Sequence, residues 1–188
     1  MKLIKPIFWK SQNIISILLL PLTIITYLIN ITKKIYSKKK FFIKTICVGN
    51  IFLGGTGKTS LAIEIHNLLE KKFKTVFIKK DYQDQIDEIN LLKTRGDVIC
   101  KNNRENALHL ASKKYDLAIL DDGLQEKNIS YGLKIVCFNT KEGLGNEFLL
   151  PAGPLRESID RLKDYDIAFL NGENKNNNLL LILKSINK

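Results

Sequence analysis

The amino-acid sequence predicts an α/β fold in which helices flank a parallel β-sheet. The chain has 188 residues, 45% of them hydrophobic, which suits one domain with a buried core. Short apolar runs such as KTICVGN and DLAILDDG alternate with segments whose apolar residues recur at helical spacing. Strands and helices that alternate in this way form a parallel sheet covered on both faces. We expect this domain at residues 41–172, between a basic, apolar N-terminal segment at 1–40 and a short tail at 173–188.

The charge of the chain is concentrated at its N-terminal end. Residues 1–63 contain ten Lys and no Asp or Glu, so they carry ten of the formal net charge of +11. A protein that binds nucleic acid would be expected to carry its basic surface on the folded domain. Lysines that flank an apolar run instead indicate an anionic membrane surface. We therefore expect membrane lipids as partners, and no nucleic acid.

The apolar run in this segment extends from Ile14 to Ile29. It has sixteen residues and includes Pro21, whereas a transmembrane helix needs about 20 residues. A membrane-associated helix that lies in the interface or re-enters it is the favoured interpretation, because a membrane placement uses the flanking lysines. The alternatives are a true membrane span and a soluble helix packed on the domain.

A glycine-rich loop follows the first predicted strand, in the segment GNIFLGGTGKTS at residues 49–60. It matches the phosphate-binding pattern G-x-x-x-x-G-K-[ST], except that Phe52 stands where the first glycine is expected. Small residues let consecutive backbone N–H groups point at phosphate oxygens, while a lysine balances the β/γ charge and a hydroxyl binds Mg²⁺. The residues predicted to bind the nucleotide are Gly54, Gly55, Thr56, Gly57, Lys58 and Thr59.

The surroundings of this loop support the same interpretation. A β-rich apolar run precedes it, and Leu61, Ile65, Leu68 and Leu69 follow it at helical spacing. A helix that begins at the loop adds its dipole to an anion site. The sequence therefore predicts a P-loop NTPase-like sheet, the alternative being a glycine-rich turn with a chance lysine.

Two carboxylates end a later apolar strand, in the segment LAILDDG. Because a P-loop precedes them in the chain, Asp121 and Asp122 are predicted to lie on the metal side of the site. Ligands of open α/β sheets lie at the carboxyl ends of the strands, so Lys58 and Thr59 are expected to converge with this pair. The alternative is an ordinary turn.

A third segment, GNEFLLPAGPLRES at residues 145–158, has two prolines and two glycines that restrict its path. Its Arg156 offers a planar cation for phosphate, and its Glu157 offers a carboxylate for a metal or an arginine. The alternative is a rigid connection that carries a surface ion pair.

The cysteines and histidines indicate structural roles. Cys47, Cys100 and Cys137 each fall in a predicted strand, which suggests reduced, buried thiols, and they lack metal-ligand spacing. His66 and His109 lie in helical patterns and are expected to be surface or packing residues. In the tail, the apolar run LLLIL is expected to form a last strand.

Several segments in chain order resemble the tetraacyldisaccharide 4'-kinase family, the lipid A 4'-kinases. They are FWK, LLLPLTIITYLI, VGNIFLGGTGKTS, DDGLQ, GNEFLLPAGPLRES and RLKDYDIAFLNG. The family's loop also commonly lacks its first glycine. The resemblance implies transfer of the γ-phosphate of ATP, with Mg²⁺, to the 4'-hydroxyl of a tetraacylated glucosamine disaccharide 1-phosphate in lipid A and lipopolysaccharide biosynthesis. It also implies a peripheral or singly anchored location at the cytoplasmic face of the bacterial inner membrane.

The resemblance assigns roles at the nucleotide and the metal. Lys58 would bind the β- and γ-phosphates and Thr59 the Mg²⁺, while the amides of the loop would hold the phosphate chain. Asp121 and Asp122 would serve the metal or order the site, and Glu157 would also bind the metal.

The resemblance also assigns the residues of phosphoryl transfer. Arg156 would meet the γ-phosphate beside Lys58. The family's proposed base is the aspartate of a GDEP motif, and its nearest equivalent here is Asp87 in the segment IDEI.

The chain departs from the family pattern in several places, one of which is a shortened connection to Asp87. KKDYQ at residues 79–83 replaces a glycine-rich SRGYG, and Glu126 stands where the motif DGFQH has its histidine. The family's second lobe, with a histidine that assists the base, is absent, so we expect a shortened member. Two other functions are compatible with these departures, a membrane-associated P-loop ATPase or GTPase switch and a non-catalytic, decayed kinase fragment.

Overall fold

Six β-strands form one sheet, with helices between them in the chain. The structure, a computed structural model, describes residues 5–32, 37–82, 85–126, 128–173 and 177–186. The strands are β1 (Lys44–Gly49), β2 (Thr75–Lys80), β3 (Val98–Lys101), β4 (Leu117–Asp121), β5 (Leu133–Asn139) and β6 (Ile167–Asn171). Their order in the sheet is β3-β2-β4-β1-β5-β6, and β4 pairs in parallel with both β1 and β2. The predicted α/β fold with a parallel sheet is confirmed.

Six α-helices and two short 3₁₀ helices belong to the described residues. The α-helices are α1 (Ile14–Leu18), α2 (Leu20–Thr32), α3 (Lys58–Leu69), α4 (Ile86–Lys93), α5 (Arg104–Ala111) and α6 (Asn177–Ile186). The 3₁₀ helices are Ile7–Trp9 and Ile159–Asp164. Each of α3, α4 and α5 lies between two successive strands of the chain, which is the connection that neighbouring parallel strands require.

The chain divides into two compact units. We call Ser37–Gly49 with Gly57–Ile135 the central unit, and Met1–Tyr36 with Asn50–Thr56 and Val136–Lys188 the terminal unit. In the central unit, α3 packs on β1 and β4 while α5 packs on β2 and β3. Its core is formed by strand and helix residues that are almost fully buried, chiefly Val48, Phe77, Ile78, Leu92, Leu108, Ile119 and Leu120.

The terminal unit joins the N-terminal residues to the segment around residues 145–156. The indole of Trp9 donates a hydrogen bond of 3.0 Å to the carbonyl of Pro151, and the backbone N–H of Asn146 donates one of 2.8 Å to the carbonyl of Trp9. On α2, the hydroxyl of Thr26 donates to the carbonyl of Leu150 at 2.7 Å. The Thr26 hydrogen bond ties α2 to this segment, and the contacts of Trp9 tie the residues before α1 to it.

The apolar N-terminal run forms two helices rather than one. Asn13 caps α1, because its side chain accepts from the backbone N–H of Ser16 while Ser16 accepts from the N–H of Asn13. Large apolar side chains of α1 and α2 remain exposed, namely Ile14, Ile15, Ile17, Leu18, Leu22, Ile24, Ile25, Tyr27, Leu28, Ile29 and Ile31. Within the described residues, no helix is both long and apolar enough to cross a membrane.

The tail differs from the expectation for its fold. The predicted last strand is wrong, because the segment forms α6, with Leu179 buried and Leu181 exposed. A short apolar run such as LLLIL does not distinguish a strand from a helix by periodicity, and here the exposure pattern of a helix prevails.

Cys47, Cys137 and His66 are buried packing residues, as the sequence predicts. Cys47 and Cys137 are buried on β1 and β5, whereas Cys100 on β3 is only partly buried. Burial raises the pKa of the Cys47 thiol far above its ordinary value. His66 is buried against Phe77 and shares a hydrogen bond of 2.6 Å with the hydroxyl of Thr75.

Candidate nucleotide-binding site

The end of the glycine loop and the start of α3 have the geometry of a phosphate site. Gly57 has a positive φ of 85° and directly precedes Lys58, the first residue of α3. The helical hydrogen bonds begin with the N–H of Leu61, which donates to the carbonyl of Gly57 at 3.0 Å. The N–H groups of the first turn therefore lack helical acceptors and are available to donate to an anion bound beyond the helix end.

The earlier part of the loop lies in the terminal unit. Gly54 has a φ of 146°, a conformation that residues with a side chain rarely adopt, whereas an added Cβ at Gly55 would meet no atom within 4 Å. Thr56 is buried, and its hydroxyl has no hydrogen-bond partner among the described residues. A glycine is thus required by backbone conformation at Gly54 and at Gly57.

The structure also explains Phe52, which stands where the first glycine of the pattern is expected. Phe52 forms an antiparallel bridge with Leu155, and the N–H of Leu53 donates to the carbonyl of Pro154 at 2.9 Å. Its side chain is buried, with the ammonium of Lys5 4.9 Å from the ring centre. The opening of the loop is therefore an extended, paired backbone, in which an aromatic residue packs better than a glycine.

Asp121 lies beside the start of α3 because of the strand register. β1 and β4 pair Val48 with Asp121, so the carboxylate ends β4 where β1 leads into the glycine loop. The hydroxyl of Thr59 donates a hydrogen bond of 2.9 Å to Oδ2 of Asp121. The expected convergence of Thr59 with Asp121 is therefore present in the structure.

The Asp121 side chain is fully buried, and its two oxygens have different surroundings. Oδ2 accepts from Thr59 and also from the ammonium of Lys79, at 2.6 Å. Oδ1 has no hydrogen-bond partner among the residues that the structure describes. A buried carboxylate oxygen without a donor is costly unless a cation or another donor reaches it.

Lys79 is a residue of the site that the sequence analysis missed. β2 and β4 pair Ile78 with Leu120, so the next residues along, Lys79 and Asp121, lie side by side. The ammonium of Lys79 also donates to Oε2 of Glu88, on the first turn of α4, at 2.5 Å. Its burial alone would lower the pKa of Lys79, but the charge of Asp121 and the hydrogen bonds to both carboxylates outweigh that effect and raise it. The available signal is a pair of lysines, Lys79 and Lys80, at the carboxyl end of β2, where the ligands of parallel sheets lie.

Asp122 begins the turn that follows β4. Its φ is 61°, its N–H donates to the carbonyl of Val48 at 2.8 Å, and its carbonyl accepts from Arg104 at 2.6 Å. Arg104, on α5, is buried and also donates to Glu126 at 2.5 Å. Arg104 is a second residue that the sequence analysis missed, and it ties both ends of the segment from Asp122 to Glu126 to α5.

Three further predicted residues lie elsewhere in the two units. In the central unit, Asp87 is exposed on the first turn of α4, directly before Glu88. In the terminal unit, Glu157 is buried and accepts a hydrogen bond from the hydroxyl of Tyr165, and the N–H of Arg156 donates to the carbonyl of Ile51 at 2.7 Å. A buried Glu157 does not fit the alternative of a surface ion pair.

Among the described residues, there is no cluster of three or more His, Cys, Asp or Glu side chains that would bind a metal. Any metal at Asp121 would therefore be held by few protein ligands. Mg²⁺ is commonly bound in this way, through one or two carboxylates together with substrate phosphates and water.

A strand, a glycine loop and a helix, with a buried carboxylate bonded to the threonine on the first turn of that helix, define a P-loop nucleotide-binding protein. The family model for tetraacyldisaccharide-1-P 4'-kinase matches residues 15–185. The chain belongs to this family.

Named relatives agree with that assignment. A tetraacyldisaccharide 4'-kinase from Pelagibacter ubique is 52% identical over 92% of this chain, and one from Rickettsia canadensis is 33% identical over all of it. The chain spans 56% and 64% of the length of these two relatives. Among solved structures, LpxK from Aquifex aeolicus, determined in complex with ATP, matches 83% of this chain and 58% of its own with a TM-score of 0.72 and 25% identity.

Proposed function

We propose that this chain takes part in transferring the γ-phosphate of ATP to the 4'-hydroxyl of a tetraacylated glucosamine disaccharide 1-phosphate, a step of lipid A biosynthesis. The observation that carries this proposal is the hydrogen bond between Thr59 and Asp121 at the N-terminus of α3, in a chain of this kinase family. In-line phosphoryl transfer depends mainly on positioning and on neutralising charge. Around its glycine loop, the chain has groups that can position the phosphates and groups that can neutralise their charge.

ATP is the proposed phosphate donor. The backbone amides of Gly54–Gly57 and the first turn of α3 would bind the phosphate chain, and Lys58 would bind its β- and γ-phosphates. The LpxK structure from Aquifex aeolicus was determined with ATP, which supports the choice of nucleotide.

Mg²⁺ is the proposed metal, and the residues present fit it. The hydroxyl of Thr59 and the carboxylate of Asp121 are hard oxygen ligands of the kind that Mg²⁺ prefers, and the buried Oδ1 of Asp121 lacks a donor among the described residues. When bound, the metal would neutralise charge on the phosphate oxygens. Asp122 and Glu157 are further candidate metal ligands, proposed only from the sequence motifs LAILDDG and GNEFLLPAGPLRES that contain them.

Asp87 is the proposed base for the sugar hydroxyl. Its carboxylate lies on the first turn of α4 and is exposed, so it is accessible to a substrate hydroxyl and can accept a proton from it. Arg156 is proposed to bind the γ-phosphate, since a guanidinium forms two parallel hydrogen bonds with phosphate.

The exposed apolar side chains of α1 and α2 are proposed to lie in the membrane interface, at the cytoplasmic face of the inner membrane. A substrate with four acyl chains does not leave a bilayer readily, because each exposed CH₂ costs about 0.8 kcal/mol. The surface formed by Ile17, Ile24, Ile25, Leu28 and their neighbours offers an apolar contact for such a lipid layer. Lysines near this segment would add attraction to anionic lipids.

The direct test is transfer of labelled γ-phosphate from ATP to the tetraacyl-disaccharide 1-phosphate in detergent micelles. Lys58→Ala should abolish the transfer, and the matched control Lys71→Ala, an exposed lysine just beyond α3, should not change it. Phosphate release that does not need the lipid would instead support an ATPase. A folded, ATP-binding chain without transfer would support a non-catalytic member of the family.

A further inference from the structure

Lys79 supplies a positive charge inside the nucleotide site. Its side chain is 1% exposed, and its ammonium lies 2.6 Å from Oδ2 of Asp121 and 2.5 Å from Oε2 of Glu88. Asp121 is itself fully buried, whereas Glu88 is half exposed. The lysine therefore forms one ion pair deep in the central unit and a second that reaches the surface.

The contacts of Asp121 determine which of its oxygens is open. Thr59 and Lys79 both donate to Oδ2, so the rotation of the carboxylate is restrained and Oδ1 is left without a donor among the described residues. A carboxylate held in this way is ready to accept a cation at Oδ1. The neighbouring ammonium opposes such a cation, because like charges at short range in a poorly solvated site repel strongly.

We infer that Lys79 is a positioning residue that holds Asp121 with Oδ1 open and weakens the binding of the divalent cation that accompanies the nucleotide. The inference rests on the proposed function only in placing that cation beside Thr59 and Asp121. It does not depend on which acceptor receives the phosphate.

Glu88 provides a second test of the inference, because its charge should affect cation binding in the opposite direction to that of Lys79. Its carboxylate offsets part of the charge of Lys79, so a neutral residue at position 88 would leave Asp121 more strongly paired with the lysine. Removing the positive charge of Lys79 should therefore tighten cation binding, and removing the negative charge of Glu88 should weaken cation binding.

The test is the affinity of Mn²⁺ for the full chain saturated with a non-hydrolysable ATP analogue, measured by electron paramagnetic resonance. Lys79→Gln, which keeps a donor for Asp121 but not the charge, should bind Mn²⁺ at least threefold more tightly. Lys79→Arg should stay within twofold of the original chain. Glu88→Gln should bind at least twofold more weakly.

A matched control is available for Glu88. Glu70 is equally exposed, at 49% against 50%, and it lies at the other end of α3, about 18 Å along the helix from Lys58. Glu70→Gln should leave the Mn²⁺ affinity within 1.5-fold, on the order of a quarter of a kcal/mol or less. The Mn²⁺ affinity of Glu70→Gln therefore shows whether the effect of Glu88→Gln is local to Asp121 or follows from the change of net charge.

The outcomes are decisive even if one variant does not fold. Unchanged Mn²⁺ affinity in a folded Lys79→Gln chain would overturn the inference, and so would equal weakening by Glu88→Gln and Glu70→Gln. If replacing the buried Lys79 prevents folding, the half-exposed Glu88 can still be replaced and its variant tested. Failure of lipid phosphorylation with these Mn²⁺ results intact would count against the proposed function alone.

Discussion

The hydroxyl of Thr59, on the first turn of α3, donates a hydrogen bond of 2.9 Å to Oδ2 of Asp121, the last residue of β4. The two residues are 62 positions apart in the sequence, and the parallel register of β1 and β4 brings them together. A helix N-terminus, a hydroxyl and a buried carboxylate thus lie at one end of the sheet in the central unit. Substitutions at these residues and at the elements around them test this arrangement.

Replacing Thr59 by Val should impair nucleotide and metal binding together. The substitution keeps the shape of the side chain but removes the donor to Asp121 and the proposed metal ligand. We expect about a tenfold weaker binding of the metal–nucleotide complex and a loss of about 1 kcal/mol in the free energy of unfolding. Calorimetric titration and urea denaturation measure these quantities.

Thr59→Ser is the control for that prediction, since it keeps the hydroxyl. Its nucleotide affinity should stay close to that of the original chain. A Thr59→Val chain that binds the metal–nucleotide complex as tightly as Thr59→Ser would show that the hydroxyl has no part in the site.

Asp87→Asn should lower the rate of phosphoryl transfer while ATP binding persists. General-base catalysis contributes roughly 10²- to 10⁴-fold, and an amide does not accept the proton. The effect should appear in kcat, because Asp87 is proposed to contact the sugar hydroxyl and not the nucleotide. Glu64→Gln, at an exposed carboxylate on α3, is the control and should retain full activity. Unchanged turnover of the Asp87 variant would remove this residue from the mechanism.

Phe52→Ala should destabilise the protein substantially, although position 52 belongs to a loop motif. The side chain is buried, and truncating a buried phenylalanine to alanine costs about 3–5 kcal/mol. Phe42→Ala, at a fully exposed phenylalanine, should change stability by no more than about 0.5 kcal/mol. Denaturant midpoints of the two variants give the comparison, and equal midpoints would mean that burial of the Phe52 side chain contributes nothing to stability.

Polar substitutions on α2 should weaken membrane association. Ile24, Ile25 and Leu28 are exposed, so serine at all three positions should leave the core intact while removing apolar area from the proposed interface. We expect at least a tenfold loss of binding to anionic vesicles, or about 1.4 kcal/mol, in a sedimentation assay. Leu181→Ser, at an exposed leucine of α6, is the control. Equal binding of the triple variant and the control would argue against α2 as the membrane contact.

The parts of the site that the sequence predicts are those encoded by local patterns. The loop from Gly54 to Thr59 is one contiguous motif, and Asp121 follows a run of apolar residues that indicates a buried strand. The carboxyl-edge rule for parallel sheets then relates the two, because both follow strands of the same sheet. These inferences need only the order of the elements and not their contacts.

The parts that the sequence does not predict depend on contacts between distant residues. Lys79 meets Asp121 through the register of β2 and β4, which no local pattern encodes. Phe52 is an exception to the loop pattern that its pairing with Leu155 explains. The tail is ambiguous for a different reason, because a short apolar run fits both a strand and a helix, and packing of Leu179 decides between them.

The measurement that tests the central claim most directly is the identity of the lipid product. The tetraacyl-disaccharide 1-phosphate is incubated with ATP, Mg²⁺ and the chain, and the lipid is analysed by mass spectrometry and ³¹P nuclear magnetic resonance. The account predicts a new phosphate monoester on the 4'-oxygen of the disaccharide, absent with Lys58→Ala. A folded chain that binds ATP and leaves the lipid without this monoester would contradict it.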